Sequence, residues 1–441
     1  MNISPFTLMF YIILGMIFST GISLIPALHI YNVIGLIILG IMSFGGFIPH
    51  EAIPYLFMSM LVTYAVLNTL TAVYLSAPDE SMIFVVLPGQ KALMLGRGYE
   101  IAMLTGFGSI LGILLLIAIT PLSFYVLPSL RRLMTPHMHW ILGLVTVYIL
   151  MSEWPKAVER NKPGFRRFFE AWRGLGAGIL TFALSGFLGI IVLNKSMLPL
   201  RASFQSLMPV FVGLFAVPWV LMNIVSKTVI PKQHIAESID VNAEVSLKST
   251  VAGGLGGLIA GLFPILTAGM GGLIAGHATA QRDSRIFVMS QGVSKTVYYV
   301  GAFLFFFIPG KGLGKGGLVA MASPLFSTRI LQEYWLAIGT MLFAGGMAFI
   351  TLHFLSRWLG KIVHRINYQV VSIITLTLLL AVIFGLTRWM GLFIMIVSTA
   401  IGFIPVLFGS RRLNCLGVLL VPISLNMAGI GPKFAQWLGI V

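Results

Sequence analysis

Ser19-Thr20-Gly21-Ile22-Ser23-Leu24-Ile25-Pro26-Ala27-Leu28-His29-Ile30 and Gly261-Leu262-Phe263-Pro264-Ile265-Leu266-Thr267-Ala268-Gly269 are two stretches with one grammar. Each sets a proline inside a long apolar segment rich in Gly, Ser or Thr. Proline lacks the backbone donor and clashes with the preceding turn, so each segment is expected to break at mid-length. Within lipid a broken backbone is tolerated only where it is buried in protein or lines a cavity. Two such breaks at matching places in two halves point to the central site of a transporter.

Working outward, the rest of the chain has the composition of an integral membrane protein. Of its 441 residues 58% are hydrophobic and 9% charged, and the mean hydropathy is +0.99. A soluble domain carries about 25% charge. Residues 1–50 hold no Asp, Glu, Lys or Arg, and further charge-free runs include 52–78, 101–130, 133–152, 366–387 and 389–410. Most reach the roughly 20 residues that a helix needs to cross a bilayer. The expected fold is an all-α polytopic membrane protein of about ten to twelve membrane segments, some re-entrant. No basic leader precedes the first apolar run, so Met1 is expected to start the mature protein. A lone Cys415 excludes an intramolecular disulfide.

A formal charge of +16 raises the question of nucleic acid. In this composition it reads instead as basic loops on the cytoplasmic side of a cell membrane. The stretch Glu153–Arg173 carries Lys156, Arg160, Lys162, Arg166, Arg167 and Arg173. Membrane lipid is the expected neighbour of such a loop, and no nucleic-acid partner is expected.

The hydrophilic stretch 227–250 reads as a linker, leaving 1–226 and 251–441 as two repeats, expected to be inverted. Each half runs from a broken segment to a segment with a polar motif, a Pro turn and a short apolar piece. The polar motifs are Asn68-Thr69 and Ser294-Lys295-Thr296, and the short pieces are 81–88 and 316–322. Neither piece is long enough to span, which suggests hairpins that enter the membrane and turn back.

No catalytic signature, paired Cys or phosphate loop is present, so an enzyme is not expected. The eight His are scattered, and no metal site or resident cofactor is expected. Lys295 lies in an otherwise apolar segment, where insertion of a charge costs about 2.5–3.5 kcal/mol; it could face a polar cavity and a partner, or snorkel from a helix end to the interface. Asp79 and Glu80, at the Pro78 turn, could bind Na+ or carry H+, or simply form a solvated turn. The small and polar residues at the two breaks could serve close helix packing, or expose backbone N–H groups to an anion. The substrate-binding set drawn from these features is Ser23, Pro26, His29, Asn68, Thr69, Pro264, Thr267, Gly269, Ser294, Lys295 and Thr296. Asp79 and Glu80 form the cation-coupling set.

Four motifs in order resemble the large membrane subunit of tripartite tricarboxylate transporters (TctA), and more closely its shorter archaeal-type relatives. They are Gly21–His29; Ser76–Glu80 with Leu87-Pro88-Gly89 and Gly96–Glu100; Pro209–Pro218; and Gly256–Pro264. Ala27 and Ile265 stand where the family usually has Gly after the two prolines. The resemblance implies a permease that moves a small anion, a di- or tricarboxylate, on a cation gradient. It also implies a small membrane subunit and an extracytoplasmic binding protein as possible partners. A competing expectation is a carrier that flips a polyprenyl-phosphate lipid, whose head group a basic pocket would suit.

Overall fold

The charge-free runs fold as helices. The computed structural model describes residues 3–25, 28–46, 48–75, 81–155, 164–195, 197–198, 206–226, 229–263, 267–278, 283–309, 316–326 and 330–440. In chain order the helices are α1 (Pro5–Ser23), α2 (Ile30–Phe44), α3 (Ile53–Leu67), α4 (Thr69–Tyr74), α5 (Ile83–Met94), α6 (Gly98–Met134), α7 (Met138–Met151), α8 (Gly164–Asn194) and α9 (Leu207–Phe211). They continue as α10 (Val217–Val225), α11 (Ala243–Leu262), α12 (Ala268–Ala278), α13 (Ser284–Leu304), α14 (Gly317–Ala322), α15 (Leu331–Ile362), α16 (Tyr368–Phe408), α17 (Gly417–Met427) and α18 (Gly431–Trp437). Among the described residues there is no strand, and the fold is that of an all-α polytopic membrane protein.

Eight helices among the described residues are long and apolar enough to cross a membrane, against the ten to twelve segments expected. Two of the eight runs each take in two of the expected segments. The run Gly98–Met151 is 54 residues long and consists of α6 and α7 joined by a 3-10 turn at Thr135–His137, more residues than one crossing needs. In α16 the helical path breaks at Arg388, at φ 55° and ψ −153°, the charged residue between two apolar runs. Helix α13 is long enough to span but too polar to qualify.

The chain divides into two compact units, each discontinuous in sequence: 1–130 with 227–371, and 131–226 with 372–441. The first unit is built around α3, α4 and α13. Every residue from Ile53 to Tyr74 is buried, with α3 packed against α1, α13 and α15. Helix α13 is gripped by glycine pairs one turn apart on two neighbours. On α11, Gly253 and Gly257 lie against Ser290 and Ser294; on α6, Gly108 and Gly112 lie against Met289 and Val293. The absence of a side chain lets the backbones approach, the usual membrane use of this spacing.

Residues 243–250, read from sequence as linker, are the first two turns of α11. Asn242 caps them by accepting the Val245 N–H at 2.9 Å, and Lys248 pairs with Glu244 one turn away at 2.5 Å. Their polarity marks an exposed helical turn rather than a loop. The piece read as 81–88 extends as α5 through Pro88 to Met94, while the piece read as 316–322 is α14.

The second unit holds α7 to α10, most of α16, and α17 and α18. The span Leu207–Val225 contains a π-helical stretch at Val212–Ala216 just before Pro218. The buried Arg412 donates from Nη1 to the Phe215 carbonyl at 3.0 Å, and its guanidinium carbon lies 4.2 Å from the centre of the Trp219 ring. The end of the chain bends by 113° between the helices at Arg412–Met427 and Gly431–Trp437.

Candidate functional site

Both expected helix breaks are interruptions in the structure: α1 ends at Ser23 before α2 begins at Ile30, and α11 ends at Leu262 before α12 begins at Ala268. Pro26 and Pro264 themselves lie outside the described residues, as do Asp79 and Glu80. Helix α13 holds the His29 side chain beside the first break and backbone carbonyls beside the second.

At the first break His29 caps α2. Its Nδ1 accepts the Tyr31 N–H at 3.1 Å, which places the proton of the neutral ring on Nε2. That Nε2–H donates to the Tyr299 hydroxyl at 2.8 Å. The Tyr64 hydroxyl donates to the Leu28 carbonyl at 3.3 Å, so α3 holds the same turn from another direction. Tyr31, Tyr64 and Tyr299 surround the His29 ring at centroid distances of 4.8–5.9 Å.

At the second break the Ser294 hydroxyl reaches the Ala268 carbonyl at 3.5 Å. Thr267 immediately precedes α12, and its hydroxyl is buried without a hydrogen-bond partner among the described residues. Gln291, one turn before Lys295, donates to the Gly272 carbonyl at 3.3 Å.

Between these two anchor points lies Lys295. Its side chain is fully buried, and its Nζ donates to Asn68 Oδ1 at 2.7 Å and to Thr69 Oγ1 at 2.9 Å. The two oxygens sit at the junction of α3 and α4, so an ammonium from the second half of the sequence is bound by the first half. Lys295 and Tyr299 on α13 meet Asn68, at the C-cap of α3, and Tyr64 on α3 in reverse order, as in an antiparallel pair. One face of α13 thus carries the ties to both breaks and to the α3–α4 junction.

Not every expected residue joins this cluster. The Ser23 hydroxyl is spent on its own helix, donating to the Ser19 carbonyl at 2.7 Å. Thr296 faces α6, where its Cβ would lie 3.1 Å from a side chain at Gly112, and its buried hydroxyl has no partner among the described residues. Gly269 is in the first turn of α12. Tyr64, Tyr299 and Gln291 were not singled out from sequence. Their signal was position: Tyr299 and Gln291 lie four residues from Lys295, and Tyr64 four residues before Asn68.

The sequence model of the tripartite tricarboxylate transporter TctA family matches residues 9–417, nearly the whole chain. The chain belongs to this family. Its members are components of a tripartite tricarboxylate transporter, so the protein is a multi-pass membrane protein with a role in transport. A protein of uncharacterized function from Methanocaldococcus jannaschii is 26% identical over 419 residues, which cover 93% of this chain and 97% of that one. No solved structure matches the chain. The TctA match takes in both breaks, the α3–α4 junction and the whole of α13.

Proposed function

We propose that this TctA protein is a cation-coupled secondary transporter for a small organic anion, a di- or tricarboxylate, with the anion held where α2 and α12 begin beside α13. The observation that carries the reading is convergence on one helix. Ser294 is tied to the start of α12, Tyr299 is tied to the residue that caps α2, and Lys295 lies between them. Five residues of helix separate those two ties, about 7.5 Å. Helix N-termini present unpaired N–H groups and the positive end of the dipole, and the ammonium adds a full positive charge. The Thr267 hydroxyl, without a partner among the described residues, adds a group able to donate to a carboxylate.

The repeat within the inverted-repeat reading finds support in the order of elements. Helix, break, helix, helix occurs as α1, α2, α3 and again as α11, α12, α13, and each compact unit draws one piece from each half of the chain. The cation-coupling role is assigned to Asp79 and Glu80, the acids nearest in sequence to Asn68 and Thr69. A small membrane subunit and an extracytoplasmic binding protein are the partners that this reading takes from the family.

The deciding experiment is uptake of radiolabelled citrate by proteoliposomes holding the purified chain, with and without an imposed cation gradient. Gradient-driven accumulation supports the reading. Movement of polyprenyl-phosphate between leaflets with no carboxylate uptake would replace it by the lipid-carrier alternative. Asp79→Asn should flatten the dependence on the cation gradient more than it weakens citrate binding.

A further inference from the structure

Among the oxygens that hold the Lys295 ammonium are an amide carbonyl and an aliphatic hydroxyl, Asn68 Oδ1 at 2.7 Å and Thr69 Oγ1 at 2.9 Å. Neutral oxygen donors of this kind are what a protein offers to a hard metal cation. Here the positive charge arrives instead on a four-carbon stem from α13, and the side chain is fully buried. A second cation at the same two oxygens would sit in contact with the ammonium, away from water, where like charges repel most strongly. The helix that carries the stem is closely packed on two sides. Gly257 brings α11 close to the α13 backbone at Ser294, and Gly112 brings α6 close at Val293 and Thr296.

We propose that the Lys295 ammonium is the resident cation of the Asn68–Thr69 oxygen pair, standing in place of Na+, so that this protein takes up its anion without Na+. The uptake half of this inference rests on the anion-transport reading above; the half that concerns the oxygen pair does not.

The first test measures thermal unfolding of the full chain in detergent, in NaCl and in choline chloride at equal ionic strength. The wild-type midpoint is expected to be the same in both salts. Lys295→Ala uncovers the oxygen pair and leaves room for an ion, so its midpoint should rise with the logarithm of Na+ concentration, as for a ligand that binds only the folded state. Lys295→Met fills the space without charge and should show no such rise. A rise specific to Na+ in the wild type overturns the proposal, as does a folded Lys295→Ala protein that does not distinguish the salts. If Lys295→Ala does not fold, the wild-type comparison decides alone.

The second test replaces Na+ by choline during uptake of radiolabelled citrate. Unchanged wild-type uptake supports the proposal. A loss of about tenfold, equivalent to about 1.4 kcal/mol, overturns it. Absence of citrate uptake in either salt counts against the citrate reading, and the unfolding comparison then rules on Lys295.

Discussion

Tyr299 accepts a hydrogen bond from His29 Nε2 at 2.8 Å, one helical turn beyond Lys295 on α13. That contact links the helix bearing the buried charge to the start of α2. Tyr299→Phe keeps the ring contacts and removes the acceptor. Loss of a partner for a largely buried donor costs about 1–3 kcal/mol. A lower midpoint of thermal unfolding is expected, together with a fall in uptake larger than the fall in folded protein. Equal uptake per folded molecule would show that the hydroxyl only braces the turn.

Lys295→Ala should abolish uptake of the anion while the protein still inserts and folds. Lys295→Arg is expected to fail as well, because a planar guanidinium cannot occupy the place of a compact ammonium between Asn68 Oδ1 and Thr69 Oγ1. The readout is uptake normalised to monodisperse protein. Wild-type uptake by Lys295→Ala would reduce the residue to a structural tie between α13 and α3.

The two breaks and the polar motifs were legible in sequence because proline and charge are costly inside a membrane, whatever their neighbours are. Lys295, Asn68 and Thr69 were each singled out, but not as partners. They are separated by more than two hundred residues, and no local signal encodes a contact of that range. Tyr64 and Tyr299 escaped notice because a tyrosine in an apolar helix ordinarily reads as core. The glycine pairs on α6 and α11 were not singled out, because spacing along one helix does not reveal the common neighbour α13. The start of α11 was misread because hydrophilic composition alone does not separate a loop from an exposed, capped helical turn.

Gly257→Ala tests the grip on α13. An added Cβ would lie 2.6 Å from the Ser294 carbonyl oxygen and 2.7 Å from Val297 Cβ. One helix must then shift at the turn that positions Lys295. Overpacking of this kind costs about 1–3 kcal/mol. The midpoint should fall, and uptake should fall further than Gly21→Ala makes it, since Gly21 has open space where a Cβ would be placed. Equal effects of the two substitutions would count against a specific approach of α11 to α13.

Asp283 caps α13, accepting the Arg285 N–H at 2.8 Å, and pairs with the Arg285 guanidinium at 3.0 Å. Hydrogen bonding from Arg285 holds the Asp283 carboxyl below its ordinary pKa. A depressed folded-state value means that the contribution is present above the unfolded pKa of about 3.9 and is lost as pH falls through the folded value. Asp283→Ala should cost about 0.5–2 kcal/mol at neutral pH, the usual loss for a cap. The wild-type midpoint should fall more steeply than that of Asp283→Ala as pH is lowered from about 5 to 3. Parallel curves would assign the acid sensitivity to other carboxylates.

Arg412 is the corresponding test in the second unit. It is 8% exposed, donates to the Phe215 carbonyl at 3.0 Å, and stacks its guanidinium on Trp219 at 4.2 Å. The π-helical stretch at Val212–Ala216 shifts the backbone register just before Pro218, and the arginine satisfies a carbonyl there from outside the helix. Arg412→Lys keeps a charge but loses both the planar stack and the fork of donors. It should therefore unfold at a lower temperature than wild type, by a loss of about 1–3 kcal/mol. Arg412→Met removes the charge along with its desolvation penalty while leaving the carbonyl without its donor. If the requirement is the donor and the stack, Lys and Met variants should be destabilised to a similar degree. If it is the charge alone, Lys should behave as wild type and only Met should lose stability.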